Sequence, residues 1–252
     1  MTKTHDAHVT DQFGPRANAY VASAVHAAGA DLDRIEAFAR AHGGGRALDL
    51  GAGGGHVAYR LAPYVGEVVA YDLSEEMLAA VATTAAARGL GNVTTRQGRA
   101  ETLPFPDASF DLVASRFSAH HWGDLDAALR EVRRVLAPGG RFVVADTVSP
   151  GRPLLDTWLQ SIELLRDPSH VRNPSPAEWL ATLARAGLAV TGVTADRLRL
   201  DLATWLARMN TPEVRAAAIR SLWSAAPSDV RAHFAVEADG SFTLDTATIE
   251  AT

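Results

Sequence analysis

Apolar positions along the chain recur with two periods, and the switches between them mark out the elements. Over 12–28, Phe13, Tyr20, Val21, Ala24 and Val25 recur at roughly helical spacing, and over 31–41 Leu32, Ile35 and Phe38 share one face. Gly43-Gly44-Gly45 interrupts this pattern. Short apolar runs then alternate with helical stretches. The spacing predicts strands over 46–50, 67–71, 93–96, 110–115 and 141–146, and helices over 54–63, 74–88 and 125–136. Ser74 reads as an N-cap, with Glu75 and Glu76 in the first turn, where the helix dipole favours anions. From 147 to 186 helical patterning returns among Pro150, Pro153, Pro168, Pro174 and Pro176. A strand over 188–200 follows, then helices over 202–209, 212–224 and 227–235. A last strand or hairpin falls within 234–248, turning at Asp239-Gly240.

Strands that alternate with helices pair in parallel through right-handed crossovers, so the expected fold is α/β: a doubly wound, seven-stranded, mostly parallel sheet. A single domain over 1–252 is expected, divided into an N-terminal helical lid (12–42), a core (46–146), a helical cap insertion (147–186) and C-terminal strands and helices (187–252). Ligands of such sheets bind beyond the carboxyl ends of the strands. Asp49, Asp72, the 98–101 segment, the 116–122 segment and Asp146 all fall at or just past those ends.

Composition narrows the function classes. The chain has 252 residues, 47% hydrophobic and 21% charged, enough apolar side chain for a full core. Its formal net charge of −5 leaves no whole-chain basic footprint, so no nucleic-acid partner is expected. It contains no cysteine, which removes disulfides, thiolate metal sites and thiol nucleophiles. No HExxH, Walker lysine or GxSxG serine is present, and no metal site is expected. No apolar stretch of about 18 residues is long enough for a membrane span. The first residues are polar, without the apolar centre of a secretion signal, so a cytoplasmic protein, monomeric or homodimeric, is expected.

The run Ala47-Leu48-Asp49-Leu50-Gly51-Ala52-Gly53-Gly54-Gly55-His56 reads as a buried strand breaking into a glycine turn before a helix. Glycine at positive φ lets backbone N–H groups approach a ligand closely. A dinucleotide fingerprint, GxGxxG, would need glycine at 51, 53 and 56, and position 56 is His. The observed pattern, DxGxGxG from Asp49 to Gly55, resembles motif I of the class I S-adenosylmethionine-dependent methyltransferases. Gly98-Arg99-Ala100-Glu101-Thr102-Leu103-Pro104-Phe105 resembles that family's GDAExLPF segment, with Arg99 in place of the usual acid. Asp107-Ala108-Ser109-Phe110-Asp111-Leu112-Val113 and Leu136-Ala137-Pro138-Gly139-Gly140 are similar to its DxSFDxV and LxPGG segments. Within the family, the ubiquinone/menaquinone-biosynthesis type is the nearest likeness, and Phe13 to Tyr20 resembles its FxxxAxxY entry helix.

The resemblance implies S-adenosyl-L-methionine as cofactor and methyl transfer to the O, C or N of a small-molecule acceptor. It implies cofactor contacts at Asp49, Gly51, Ala52, Gly53, Gly55, Asp72, Leu73, Ala100, Glu101 and Arg116. Asp49 would orient the loop and the methionine amino group, and Asp72 would take both ribose hydroxyls. Tyr20, Phe117 and Trp158 are the expected acceptor contacts. Ser115 to Trp122 follows the fourth strand, and histidine there suits a base that titrates near neutrality. His120 or His121 is the candidate base, with Asp146 as partner, by analogy with sugar O-methyltransferases of this fold. Trp179, Trp205 and Trp223 read as packing, and Arg166, His170 and Arg172 as a solvated loop. Two other functions remain open on the sequence: non-methyl-transfer chemistry with the same cofactor, and a non-catalytic binding protein.

Overall fold

The computed structural model describes residues 3–17 and 27–252. Seven strands form one sheet in the order β3-β2-β1-β4-β5-β7-β6. They are β1 (Gly44–Leu50), β2 (Val65–Asp72), β3 (Val93–Gln97), β4 (Phe110–Arg116), β5 (Leu136–Thr147), β6 (Val190–Leu200) and β7 (Phe242–Ala251). β1 to β5 pair in parallel, whereas β7 runs antiparallel to both of its neighbours, β5 and β6. The sheet is therefore doubly wound and mostly parallel, as the alternation of strands and helices requires.

Both faces of the central strands are apolar, and the period of two sends alternate residues to opposite cores. Leu48, Val69, Val113, Phe142 and Val144 pack on one side with helices α5 (Leu125–Val135) and α7 (Pro176–Ala186). Ala47, Val68, Ala70, Leu112, Ala114 and Val143 pack on the other with α2 (Ala30–His42), α3 (His56–Leu61) and α4 (Glu75–Ala87). The register keeps the layers aligned: Leu48 stands opposite Val69 on β2 and Val113 on β4. The third core is separate. There α6 (Pro153–Arg166) packs with α8 (Leu202–Arg208), α9 (Glu213–Ala225), α10 (Ser228–His233) and the ends of β6 and β7.

Two segments depart from the sequence pattern. The first helix, α1, spans His5–Phe13, a segment to which the spacing assigned no element before residue 12. Thr4 caps it by accepting from the Ala7 N–H, and at Gly14-Pro15 it tightens into a 3₁₀ turn (Gly14–Arg16). Capping and proline chemistry thus set this helix's limits. The part of the expected 12–28 helix that includes Tyr20 lies outside the described residues. In the 147–186 region, α6 joins the third core, whereas α7 carries Trp179 and Leu183 into the core under the sheet. α7 begins with a reciprocal capping box between Ser175 and Glu178 and ends at Gly187 in the left-handed conformation. Among the described residues, no helix is long and apolar enough to cross a membrane.

Trp179 is 1% exposed and fills the layer between α5, α7 and the sheet. Trp179→Ala is expected to cost about 3–5 kcal/mol of unfolding free energy in urea titration, the range for removing a large buried aromatic.

Candidate functional site

The parallel strands deliver their carboxyl ends to one edge of the sheet, and a cavity of about 270 Å³ opens there. One wall is the turn from β1 into α3. The N–H groups of Gly51 and Ala52 both donate to the Tyr71 carbonyl, which ties this turn to β2. Gly51, Gly53 and Gly55 all take positive φ (75°, 48° and 78°), so the glycine spacing is a backbone requirement. Their surroundings differ. A β-carbon on Gly51 would collide with the Ser118 side chain, and one on Gly55 would stand 2.8 Å from the Tyr59 ring. A β-carbon on Gly53 would meet nothing within 4 Å, because that position faces the open cavity. Gly51 and Gly53 line the cavity; Gly55 serves close packing of α3.

Two carboxylates flank the turn, Asp49 buried and Asp72 half-buried. Asp49 is 1% exposed; its Oδ2 accepts from the Ala58 N–H at 2.8 Å, while Oδ1 has no hydrogen-bond partner among the described residues. Burial pushes its carboxyl up to about 7. An orphaned buried oxygen on the cavity wall fits a cationic or N–H-bearing ligand group, such as an α-ammonium. Asp72, at the end of β2, accepts from the Gly53 N–H through Oδ2 (2.8 Å) and from the Ser74 N–H through Oδ1 (2.9 Å). Burial raises its carboxyl, against the pull of those N–H groups. A carboxylate oxygen has two acceptor sites, so each oxygen keeps one for a hydroxyl of a vicinal diol.

The floor continues through Leu73 and the Gly98–Glu101 segment. Ala100 and Glu101 line it, with Glu101 Oε1 accepting from the N–H groups of Gly123 and Asp124 at 2.8 and 3.3 Å. Arg99, the departure from the usual acid, points back across the mouth to an ion pair with Asp6 of α1. Arg116, the last residue of β4, lines the cavity while paired with Asp31 and donating to the Ala28 carbonyl. Phe117 also lines it, at φ 48° and beneath the Arg116 guanidinium.

The far wall holds the histidines. His120 Nδ1 lies 2.6 Å from Asp146 Oδ1, and Asp146 Oδ2 accepts from the Ala119 N–H at 2.9 Å. Burial opposes the charged ring, but the Asp146 charge and hydrogen bond outweigh it, so His120 titrates above its ordinary value. His121 behaves oppositely. Burial and the neighbouring His120 push it down to about 4, and its Nδ1 is held 3.0 Å from the Ser169 carbonyl. Trp158 is not brought to this site: it stacks on Trp223 in the third core.

Several cavity residues lay outside the sequence reading. Glu163, Arg166 and Asp167, at the end of α6, line the cavity; so do Leu198, Leu200 and Leu244 from β6 and β7, and Trp205, Arg208 and Met209. Arg166 is therefore not a solvated loop residue; its guanidinium lies over the Trp205 ring and donates to the Trp205 carbonyl. His170 is buried, 2.8 Å from Gln160 Oε1, whereas Arg172 faces outward onto Asp156 and Glu178. The one local signal was helical spacing in α6. Leu159 and Ile162 of the expected apolar face are buried, and Glu163 is buried beside them with Leu155.

Residues 48–144 match the family model for a methyltransferase domain. The chain is 38% identical to the uncharacterized methyltransferase YcgJ of Bacillus subtilis, over 89% of this chain and 88% of that protein. The crystal structure of YcgJ superposes with a TM-score of 0.84, covering 88% of this chain and 97% of that one. The chain belongs to the class I S-adenosylmethionine-dependent methyltransferase family. An uncharacterized protein of Escherichia coli, YafE, is 52% identical over 78% of this methyltransferase and 95% of its own length. The ubiquinone/menaquinone biosynthesis C-methyltransferase UbiE of a Shewanella strain is 40% identical, but over only 44% of this chain and 46% of its own.

The contrast between the first two glycines generates a prediction. Gly53→Ala should cost only the left-handed backbone penalty, about 1–2 kcal/mol, yet weaken S-adenosylhomocysteine binding at least tenfold by filling the cavity edge. Gly51→Ala should lose considerably more stability through its collision with Ser118. Urea unfolding and calorimetric titration of the two variants check both halves.

Proposed function

We propose that this methyltransferase alkylates a hydroxyl oxygen of a small-molecule acceptor, with His120 removing the proton. The observation that carries the proposal is the 2.6 Å contact between Nδ1 of His120, which lines the cavity, and Asp146 behind it, which does not. That contact occupies Nδ1 and leaves Nε2 as the basic atom of the ring. Asp146 is itself held by the Ala119 and Thr147 N–H groups, so the imidazole is fixed in orientation. His121 is a poor base by comparison, since its protonated form is disfavoured and its Nδ1 is committed to Ser169. Two neighbouring groups whose titrations are driven apart divide the roles between them.

A sulfonium methyl is already electrophilic, so the protein has to position, desolvate and deprotonate the acceptor. As the acceptor oxygen bonds to the methyl carbon, the carbon–sulfur pair returns to sulfur and the hydroxyl proton passes to His120 Nε2. Amine acceptors carry their own lone pair and need no base before transfer, so an Asp–His dyad favours a hydroxyl. On the cofactor side, Asp49 would hold the methionine ammonium, Gly51 and Gly53 would admit the chain of the cofactor, and Asp72 would take the ribose diol. Leu198, Leu200, Trp205 and Leu244 offer an apolar wall for the acceptor body.

Transfer of isotopically labelled methyl from S-adenosylmethionine to a panel of hydroxyl, amine and carbon acceptors, read by mass spectrometry, tests the reading. Label on nitrogen or carbon alone would overturn it. With an accepted hydroxyl substrate, His120→Gln should lower kcat by about 10²–10⁴-fold, with S-adenosylhomocysteine affinity unchanged. Because the base works unprotonated and His120 titrates above its ordinary 6.5, kcat should fall as pH drops through a limb above 6.5. Asp146→Asn should move that limb to lower pH. On the cofactor side, a ligand at 100 times its Kd adds about 2.7 kcal/mol of stability. Asp72→Ala should abolish the thermal shift given by S-adenosylhomocysteine.

A further inference from the structure

We propose that Asp6 of α1, held by Arg99, accepts the hydrogen bond of the adenine exocyclic amine, so that the N-terminal helix completes the base-specificity site. The proposal rests on S-adenosylmethionine as the cofactor and on the ribose position taken for Asp72.

The strand order fixes where the base must lie. The turn after β1 faces the amino-acid end of the ligand, and Asp72 ends the next strand, β2. The part beyond the ribose therefore falls at the end of β3, where Tyr71, Leu73 and Gly98 to Glu101 line the cavity. Adenine presents an amine donor there, and a buried donor without an acceptor costs free energy and discriminates nothing.

The local segment is poorly equipped to receive that amine. Arg99 carries donors only. Glu101 Oε1 is occupied by the N–H groups of Gly123 and Asp124, and its Oε2 lies 3.6 Å from Arg99 Nε. The Arg99 carbonyl already receives the Tyr71 hydroxyl at 3.1 Å and the Thr102 N–H at 3.3 Å. Asp31, a further acid on the cavity wall, is taken by Arg116.

Asp6 is differently placed. It lines the same cavity from the first turn of α1, and its Oδ2 lies 2.5 Å from Arg99 Nη1. Its Oδ1 receives no hydrogen bond from any described residue. The Arg99 guanidinium thus spans Glu101 and Asp6, drawing in an outside carboxylate with one oxygen to spare. The acid is missing from the 98–101 segment itself, and Arg99 supplies it from another element. A carboxylate at this place favours a 6-amino purine and repels a 6-oxo purine, whose oxygen would face the same lone pairs.

Calorimetric titration of the full chain with S-adenosylhomocysteine and with S-inosylhomocysteine, which carries a 6-oxo group, tests this. The unaltered chain should prefer the adenosyl ligand by tenfold or more. Asp6→Ala should reduce that preference below threefold by weakening the adenosyl ligand alone. Equal affinity of the unaltered chain for the two ligands would overturn the proposal. So would a preference that survives Asp6→Ala, or a parallel loss of both ligands in that variant. Failure of the unaltered chain to bind either ligand would refute the cofactor reading, and the proposal with it.

Discussion

A backbone turn that only glycine can make governs the geometry of this site. Between β1 and α3 the chain passes three times through the left-handed region while two of its N–H groups are tied to the Tyr71 carbonyl. That tether brings Gly53 N within 2.8 Å of Asp72, and the short path into α3 brings Ala58 N to Asp49. Each acid is thus held by a backbone donor, Asp72 by one on the turn and Asp49 by one in α3. Side chains at 51 or 55 would break the turn against Ser118 or Tyr59, and one at 53 would fill the space a ligand needs.

Burial then sets the chemistry of the acids the turn holds. Asp49 is desolvated with one oxygen unsatisfied, so its carboxyl titrates near neutrality until an opposite charge arrives. At the other wall the same desolvation acts on two adjacent histidines with opposite results. His120 has a carboxylate at 2.6 Å and becomes more basic, whereas His121, with the Ser169 carbonyl at 3.0 Å, its nearest acid at 4.0 Å and His120 beside it, becomes less so. A single low-dielectric wall thereby separates two chemically identical neighbours into a more basic and a less basic ring.

Much of this site was legible from residue types because its parts are local. The DxGxGxG spacing reflects a φ requirement within seven residues, and the acids at or next to the ends of β1, β2 and β5 follow apolar runs that mark those strands. Asp49, Gly51, Gly53, Asp72, Ala100, Glu101, Arg116, Phe117, His120 and His121 all line the one cavity. Where local rules compete, the reading slipped. Apolar spacing gave no sign of the helix over His5–Phe13, which the Thr4 cap and the Gly14-Pro15 break delimit. Trp158 was placed near a ligand on residue type alone, and a stacking partner 65 positions away, Trp223, holds it in the third core.

The sequence by itself determined the parallel sheet, the edge at which a ligand binds and the family, since each rests on short-range patterns: periodicity, glycine spacing and strand-end acids. Only the tertiary structure decided which groups from distant segments share the cavity. Asp6 reaches Arg99 across 93 positions, and His120 reaches Asp146 across 26. Glu163 and Arg166 arrive from a helix whose inward face looked merely apolar. These meetings depend on how crossovers and the third core pack, and on the desolvation that results. No window of the chain encodes either one.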